Sequence, residues 1–115
     1  MHPQVMRVSA AERRAAQKQD RNAILEIDLH ADELLDTLAG LEPRDILEYQ
    51  LKVFHETMLE HIKERGRRIV FIHGKGEGVL RRAIVNDLQY RYKHYTYQDA
   101  SFQEYGYGAT QVTIK

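Results

Sequence analysis

Asp28, His30 and His73 are the side chains of this sequence best suited to moving a proton. Asp28 precedes His30 by two positions, and in an extended segment that spacing puts both on one side of the chain. A carboxylate so placed holds an imidazole's orientation and favours its charged form. His73 opens the run His73-Gly74-Lys75-Gly76-Glu77-Gly78. Glycines there permit positive φ and close backbone approach. The run leads into a helical pattern, whose first N–H groups and dipole favour an anion such as a phosphate. Lys75, Arg81 and Arg82 add positive charge, so Gly74, Lys75, Gly76, Gly78, Arg81 and Arg82 are the expected phosphate-binding set. The run lacks the Gly-Lys-Ser/Thr ending of an ATPase phosphate loop, so nucleotide hydrolysis is not indicated.

The elements that must position these residues follow from periodicity. Leu25, Ile27 and Leu29 alternate with Glu26, Asp28 and His30, a strand wetted on one face. Ala31–Ala39 reads as a short helix ended by Gly40. Pro43 fits the first turn of a long helix running to Arg65, with Leu47, Leu51, Phe54, Met58 and Ile62 as its apolar stripe and Gly66 as its stop. Ile69–Ile72 is an unbroken apolar run, expected of a central strand. Leu80, Ile84, Leu88 and Tyr92 mark a second amphipathic helix. Residues 95–102 predict a third strand and 109–114 a fourth.

The order β-α-β-α-β-β predicts an α/β fold: a two-layer sandwich with a mixed four-stranded sheet and helices on one side. His30 and His73 then both lie just past the carboxyl ends of parallel strands, where open α/β sheets bind ligands. Residues 1–23, rich in Ala, Arg, Gln and Lys without an apolar stripe, read as a helical tether or linker preceding a domain over 24–115.

The 115 residues carry 17 basic and 17 acidic side chains, a net charge of zero that at first argues against a nucleic-acid partner. By segment the balance is +3 over 1–23, −8 over 24–62, +6 over 63–93, which holds the glycine run, and −1 over 94–115. A neutral total therefore leaves room for a basic rim. The absence of cysteine excludes disulfides, thiolate metal sites and cysteine nucleophiles. No apolar run has the length of a membrane span or a signal peptide, so a cytoplasmic protein without membrane contact is expected.

Together Ile27-Asp28-Leu29-His30, the run His73–Arg81 and Gly106-Tyr107-Gly108-Ala109-Thr110 resemble the small MutS-related, or Smr, domain. That family carries an Asp-Leu-His motif on its first strand, a His-Gly-Lys-Gly loop after its second and a glycine-rich turn before its last. The resemblance covers about residues 24–115. It implies a fold similar to the C-terminal domain of translation initiation factor three, nucleic-acid binding and, in many members, endonuclease activity on RNA or DNA. Two departures stand out: Ala31 replaces the glycine usual after the first histidine, and the connection through Leu34–Arg44 is extended. Both resemble a variant found at the C-terminus of larger bacterial proteins, so the chain is read as a possible fragment of one.

The expected chemistry is phosphodiester cleavage. His30, oriented by Asp28, takes a proton from the attacking hydroxyl. His73, or a water it positions, assists the leaving oxygen, and Lys75 with loop N–H groups holds the phosphate. On RNA a 2′-hydroxyl serves as nucleophile and no metal is required. On DNA, Asp28, Glu77 and a histidine are the groups that would recruit a divalent cation. The alternatives are a non-catalytic nucleic-acid-binding module and a protein-interaction module using the acidic long helix. Six of the seven tyrosines lie between Tyr90 and Tyr107. Packing in strands and half-buried helix faces is the simpler account of them than base stacking. His55 and His61 read as members of a solvated helix face, and His94 as a structural residue at the sheet's other end.

Overall fold

A computed structural model describes residues 23–115; the tether expected over 1–23 lies almost wholly outside the described residues. The elements are β1 (Leu25–Asp28), α1 (Ala31–Leu34), α2 (Pro43–His61), β2 (Arg68–Ile72), α3 (Val79–Tyr90), β3 (Thr96–Asp99), α4 (Phe102–Tyr105) and β4 (Ala109–Thr113). They build one four-stranded sheet in the order β1-β2-β4-β3. β1 and β2 are parallel, Ile27 opposite Phe71, while β4 runs antiparallel to both β2 and β3. The mixed α/β sheet is thus as the periodicity predicts. β4 enters between β2 and β3, so those two strands run in the same direction without touching.

Register sorts the side chains. Leu25 and Ile27, Ile69 and Phe71, and Val112 face the helices, where they join Phe54 and Met58 of α2 and Leu80, Ile84 and Leu88 of α3 in the main core. Phe54 and Phe71 meet edge to face, with ring centroids 4.8 Å apart, a geometry favoured by the aromatic quadrupole. α2 begins with Pro43 in its first turn and a reciprocal cap, in which the Glu42 N–H donates to Asp45 Oδ2 at 3.0 Å.

Several expectations are corrected, among them that helices cover one side of the sheet only. The first helix stops at Leu34, because Leu35 is already extended and the Thr37 hydroxyl accepts the Ala39 N–H. α2 stops at His61 rather than Arg65. Glu64 Oε1 is bonded to His61 Nδ1 at 3.0 Å and to Arg67 Nε at 2.8 Å, which turns the chain back toward β2. His61 and Arg67 are consequently buried, whereas Ile62 is exposed. Burial alone raises the Glu64 pKa, but the bonds from Arg67 and His61 outweigh it and hold the carboxyl below its usual value. His55 is not on a solvated face either: it bridges the two long helices, with Nδ1 3.0 Å from the Tyr92 hydroxyl and Nε2 3.0 Å from Asp87. The third strand ends at Asp99, and residues 102–105 form α4 instead. α4 lies over the face opposite the long helices, where Tyr105 packs with Val70, Ile72, Ala100 and Ala109. There the Tyr105 hydroxyl donates to Glu26 of β1. Burial and that carboxylate both raise the phenol's pKa well above its ordinary value.

Candidate active site

The parallel strands β1 and β2 end side by side, and the chain leaves each through a histidine. Leu29 N–H donates to the Ile72 carbonyl at 2.8 Å, which carries the β1–β2 pairing past the last strand residue. From α2, the Gln50 side-chain amide donates to the Leu29 carbonyl at 2.8 Å. Both backbone groups just before His30 are therefore tied down.

Asp28 Oδ1 accepts two hydrogen bonds from His30, one from its backbone N–H at 2.9 Å and one from ring Nδ1 at 2.8 Å. A carboxylate accepts only, so it selects the tautomer with hydrogen on Nδ1 and the lone pair on Nε2. The ring is 47% exposed. Its Nε2 lies against Gly74, where a Cβ would come within 2.8 Å of it. Among the described residues no hydrogen bond occupies that nitrogen.

His73 sits differently. Register places Asp28 and Ile72 on the α4 face of the sheet, and Phe71 and Thr110 on the long-helix face. The His73 ring joins the latter: Nε2 is 2.9 Å from Thr110 Oγ1 and Nδ1 is 3.0 Å from the Gly74 carbonyl. Since that carbonyl only accepts, Nδ1 bears the hydrogen and Nε2 accepts from the hydroxyl. Burial lowers the His73 pKa, and the nearby Arg81 and His30 charges act in the same direction, against the Gly74 bond and Asp99. The two histidines are thus neighbours through Gly74, as their strand-end positions suggest, but their rings occupy opposite faces. Both of its ring nitrogens have partners within the protein, and the ring lines the cleft beside the loop.

The loop is built on three left-handed glycines, Gly74 (φ +80°), Gly76 (φ +30°) and Gly78 (φ +82°). Gly108 anchors it, its carbonyl accepting the His73 and Gly74 N–H groups, both at 2.9 Å. A Cβ on Gly108 would come within 3.3 Å of Gly74 backbone atoms. With the Gly74 carbonyl turned inward to His73, the trans peptide directs the Lys75 N–H the opposite way. Among the described residues no hydrogen bond takes the N–H of Lys75, Gly76, Glu77 or Gly78. These four adjacent donors precede the α3 N-terminus. Lys75, Arg81 and Arg82 are exposed. Arg81 Nη2 is 2.9 Å from Asp99 Oδ1, and Arg82 Nη1 donates to the Glu77 carbonyl at 3.0 Å. A cleft of about 500 Å³ separates this loop from Pro43, Arg44, Leu47 and Gln50 of α2.

The structure thus joins Asp28, His30 and Gly74 at the end of the sheet and places the remaining loop residues beside them. Asp28, Glu77 and a histidine do not converge. Among the described residues no group of three or more His, Asp or Glu side chains is placed to hold a metal ion. Sequence reasoning missed Thr110, Gln50, Asp99 and Arg44. Only Thr110 carried a signal there, as the residue closing the glycine-rich turn motif; the others come from elements with no such motif.

The chain is thus a small open α/β sheet with strand-end histidines and a glycine loop facing a cleft, the place where such sheets bind ligands. A family model for the Smr domain matches residues 44–115, more than half of the chain, and the chain belongs to that family. The matched stretch holds His73, the loop and Gly108, while Asp28 and His30 precede it. No curated protein and no solved structure matches the chain. Family membership points to nucleic acid as the class of ligand. Among the described residues, no helix is long and apolar enough to cross a membrane.

Proposed function

We propose that this domain binds nucleic acid across the glycine loop and cleaves a phosphodiester there, with His30 as general base. The observation that carries this reading is the His30 ring. Its Nδ1–H is held by Asp28 at 2.8 Å, and its accepting Nε2 is turned to the loop with no protein partner among the described residues. A base in that state accepts a proton from a hydroxyl attacking a phosphate held on the Lys75–Gly78 N–H groups. Those donors and the Lys75 ammonium meet the charge that develops on the phosphoryl oxygens. On RNA the 2′-hydroxyl loses its proton to Nε2, its oxygen bonds to phosphorus, and the 5′-oxygen leaves, taking a proton from solvent. On DNA a water takes the place of the 2′-hydroxyl. His73 acts as a positioning residue: it fixes the Gly74 carbonyl and hence the direction of the Lys75 N–H.

Strand scission tests this reading on stem-loop RNA and on supercoiled DNA, each with and without EDTA. His30→Ala is expected to lower the cleavage rate by about 10²–10⁴-fold while nucleic-acid binding persists. Wild-type protein that cuts neither substrate, or a His30→Ala variant that cuts as fast as wild type, defeats the catalytic assignment. EDTA separates the direct route, which survives it, from one needing a divalent cation.

A further inference from the structure

Phe102 and Tyr107 are 61% and 72% exposed, and their ring centroids stand 4.7 Å apart at an interplanar angle of 60°. Isolated exposed aromatics are ordinary, but a contiguous pair beside a charged site asks for a ligand. This pair has one. Tyr107 lines a second depression of about 340 Å³ together with Lys75, Arg81 and Asp99. The ring belongs to the segment that anchors the phosphate loop, because the next residue, Gly108, accepts the His73 and Gly74 N–H groups at 2.9 Å. The Tyr107 backbone is therefore held beside the loop that carries Lys75, with its ring toward open solvent. A single tilted neighbour covers at most one face of a ring, so Phe102 steadies Tyr107 and leaves a face available.

A planar apolar shelf next to a phosphate-binding loop is what an unpaired nucleotide needs: anion on the N–H groups, base against the aromatic face. A paired base has both faces covered by its own stack and gains nothing from such a shelf. We infer that Tyr107, supported by Phe102, is a stacking subsite for one unpaired base of the strand whose phosphate sits on the glycine loop. The preferred substrate is then single-stranded nucleic acid, or a loop or end, rather than continuous duplex. This deepens the nucleic-acid reading of the site and rests on its binding half, not on cleavage. Asp99 is already held by Arg81 at 2.9 Å, which leaves Lys75 as the cation of this subsite without an ion-pair partner among the described residues.

The test is a titration of the full chain with a short single-stranded 2′-O-methyl oligonucleotide carrying one 2-aminopurine, and with a duplex of the same sequence. Tyr107→Leu is expected to bind the single strand about 5- to 150-fold more weakly, the loss of one base–aromatic stack. It should also abolish the quenching of 2-aminopurine, while duplex affinity changes little. Tyr107→Phe, which keeps the ring, should restore both. Circular dichroism checks that the variants fold. Unchanged single-strand affinity in Tyr107→Leu overturns the subsite, and is the result expected if the pair serves a protein partner. Equal losses on single strand and duplex overturn it too. Wild type that binds the single strand without cutting RNA or DNA leaves the subsite standing and removes only the catalytic assignment. Wild type that binds neither strand form removes both.

Discussion

At the scale of single residues the site depends on Gly74, where two demands coincide. Its φ of +80° lies in the left-handed region, and a Cβ there would come within 2.8 Å of His30 Nε2. Gly74→Ala therefore costs about 1–2 kcal/mol for the backbone conformation and also displaces the His30 ring, the base in the proposed reaction. Gly76 has φ +30° and nothing within 4 Å of a Cβ, so Gly76→Ala brings backbone strain without the collision. Both variants should lose similar stability in a denaturant titration, but Gly74→Ala should cut at least about tenfold more slowly than Gly76→Ala, since small misplacements of a reacting group are costly. Equal cleavage by the two would show that His30 does not work against Gly74. The Asp28–His30 pair was legible in the sequence because period two is a local rule. The close approach of His30 to Gly74 was not, because it depends on the β1–β2 register and on Gly108 drawing the loop inward.

At the scale of elements, His73 couples the loop to the strand pair β2–β4. Its neutral ring accepts from Thr110 and donates to Gly74. Protonation puts a hydrogen on Nε2, and the Thr110 hydroxyl must turn from donor to acceptor. The folded-state pKa of His73 is lowered by burial, so between that value and the unfolded value of about 6.5 the unfolded chain binds more protons. Stability then rises with pH in that window: the contribution is present above pH about 6.5 and is lost as pH falls toward the folded pKa. His55, also lowered chiefly by burial, acts in the same direction. The melting temperature is expected to drop between pH 7.5 and 5.5, and to drop less in His73→Gln. A His73→Gln variant with the full wild-type pH dependence would contradict the buried neutral ring. Elements whose apolar period is strong, α2, β2 and α3, could be read from the chain within a few residues. The insertion of β4 between β2 and β3 could not, since pairing partners leave no period. Nor could α4: its residues continue a strand-like composition, and only the Glu26–Tyr105 bond and the Val70–Ala109 surface explain why the chain turns there.

At the scale of the whole molecule, the +6 of residues 63–93 does not gather around the loop. Lys63, Arg65, Arg67 and Arg68 stand at or before the start of β2, and Arg91 and Lys93 follow the end of α3. All six lie at the end of the sheet opposite the glycine loop, and Arg67 is buried against Glu64. Lys75, Arg81 and Arg82 remain, joined by Arg44 across the cleft from the net-acidic α2 segment. A site with so few cations makes few phosphate contacts, so affinity should fall only gently with salt, by a slope of about 0.7–0.9 per contact. Lys75→Ala is expected to reduce the steepness of log K against log salt by about one contact's worth and to weaken all sequences alike. Lys93→Ala, which removes the same charge from the opposite end, should leave the slope unchanged while changing net charge identically. The pair of variants separates a localised phosphate contact from general charge attraction. Equal slopes for Lys75→Ala and Lys93→Ala would show general charge attraction and remove the phosphate contact assigned to the loop, while a larger change in Lys93→Ala would place nucleic acid on the wrong end of the sheet for His30 to act on it.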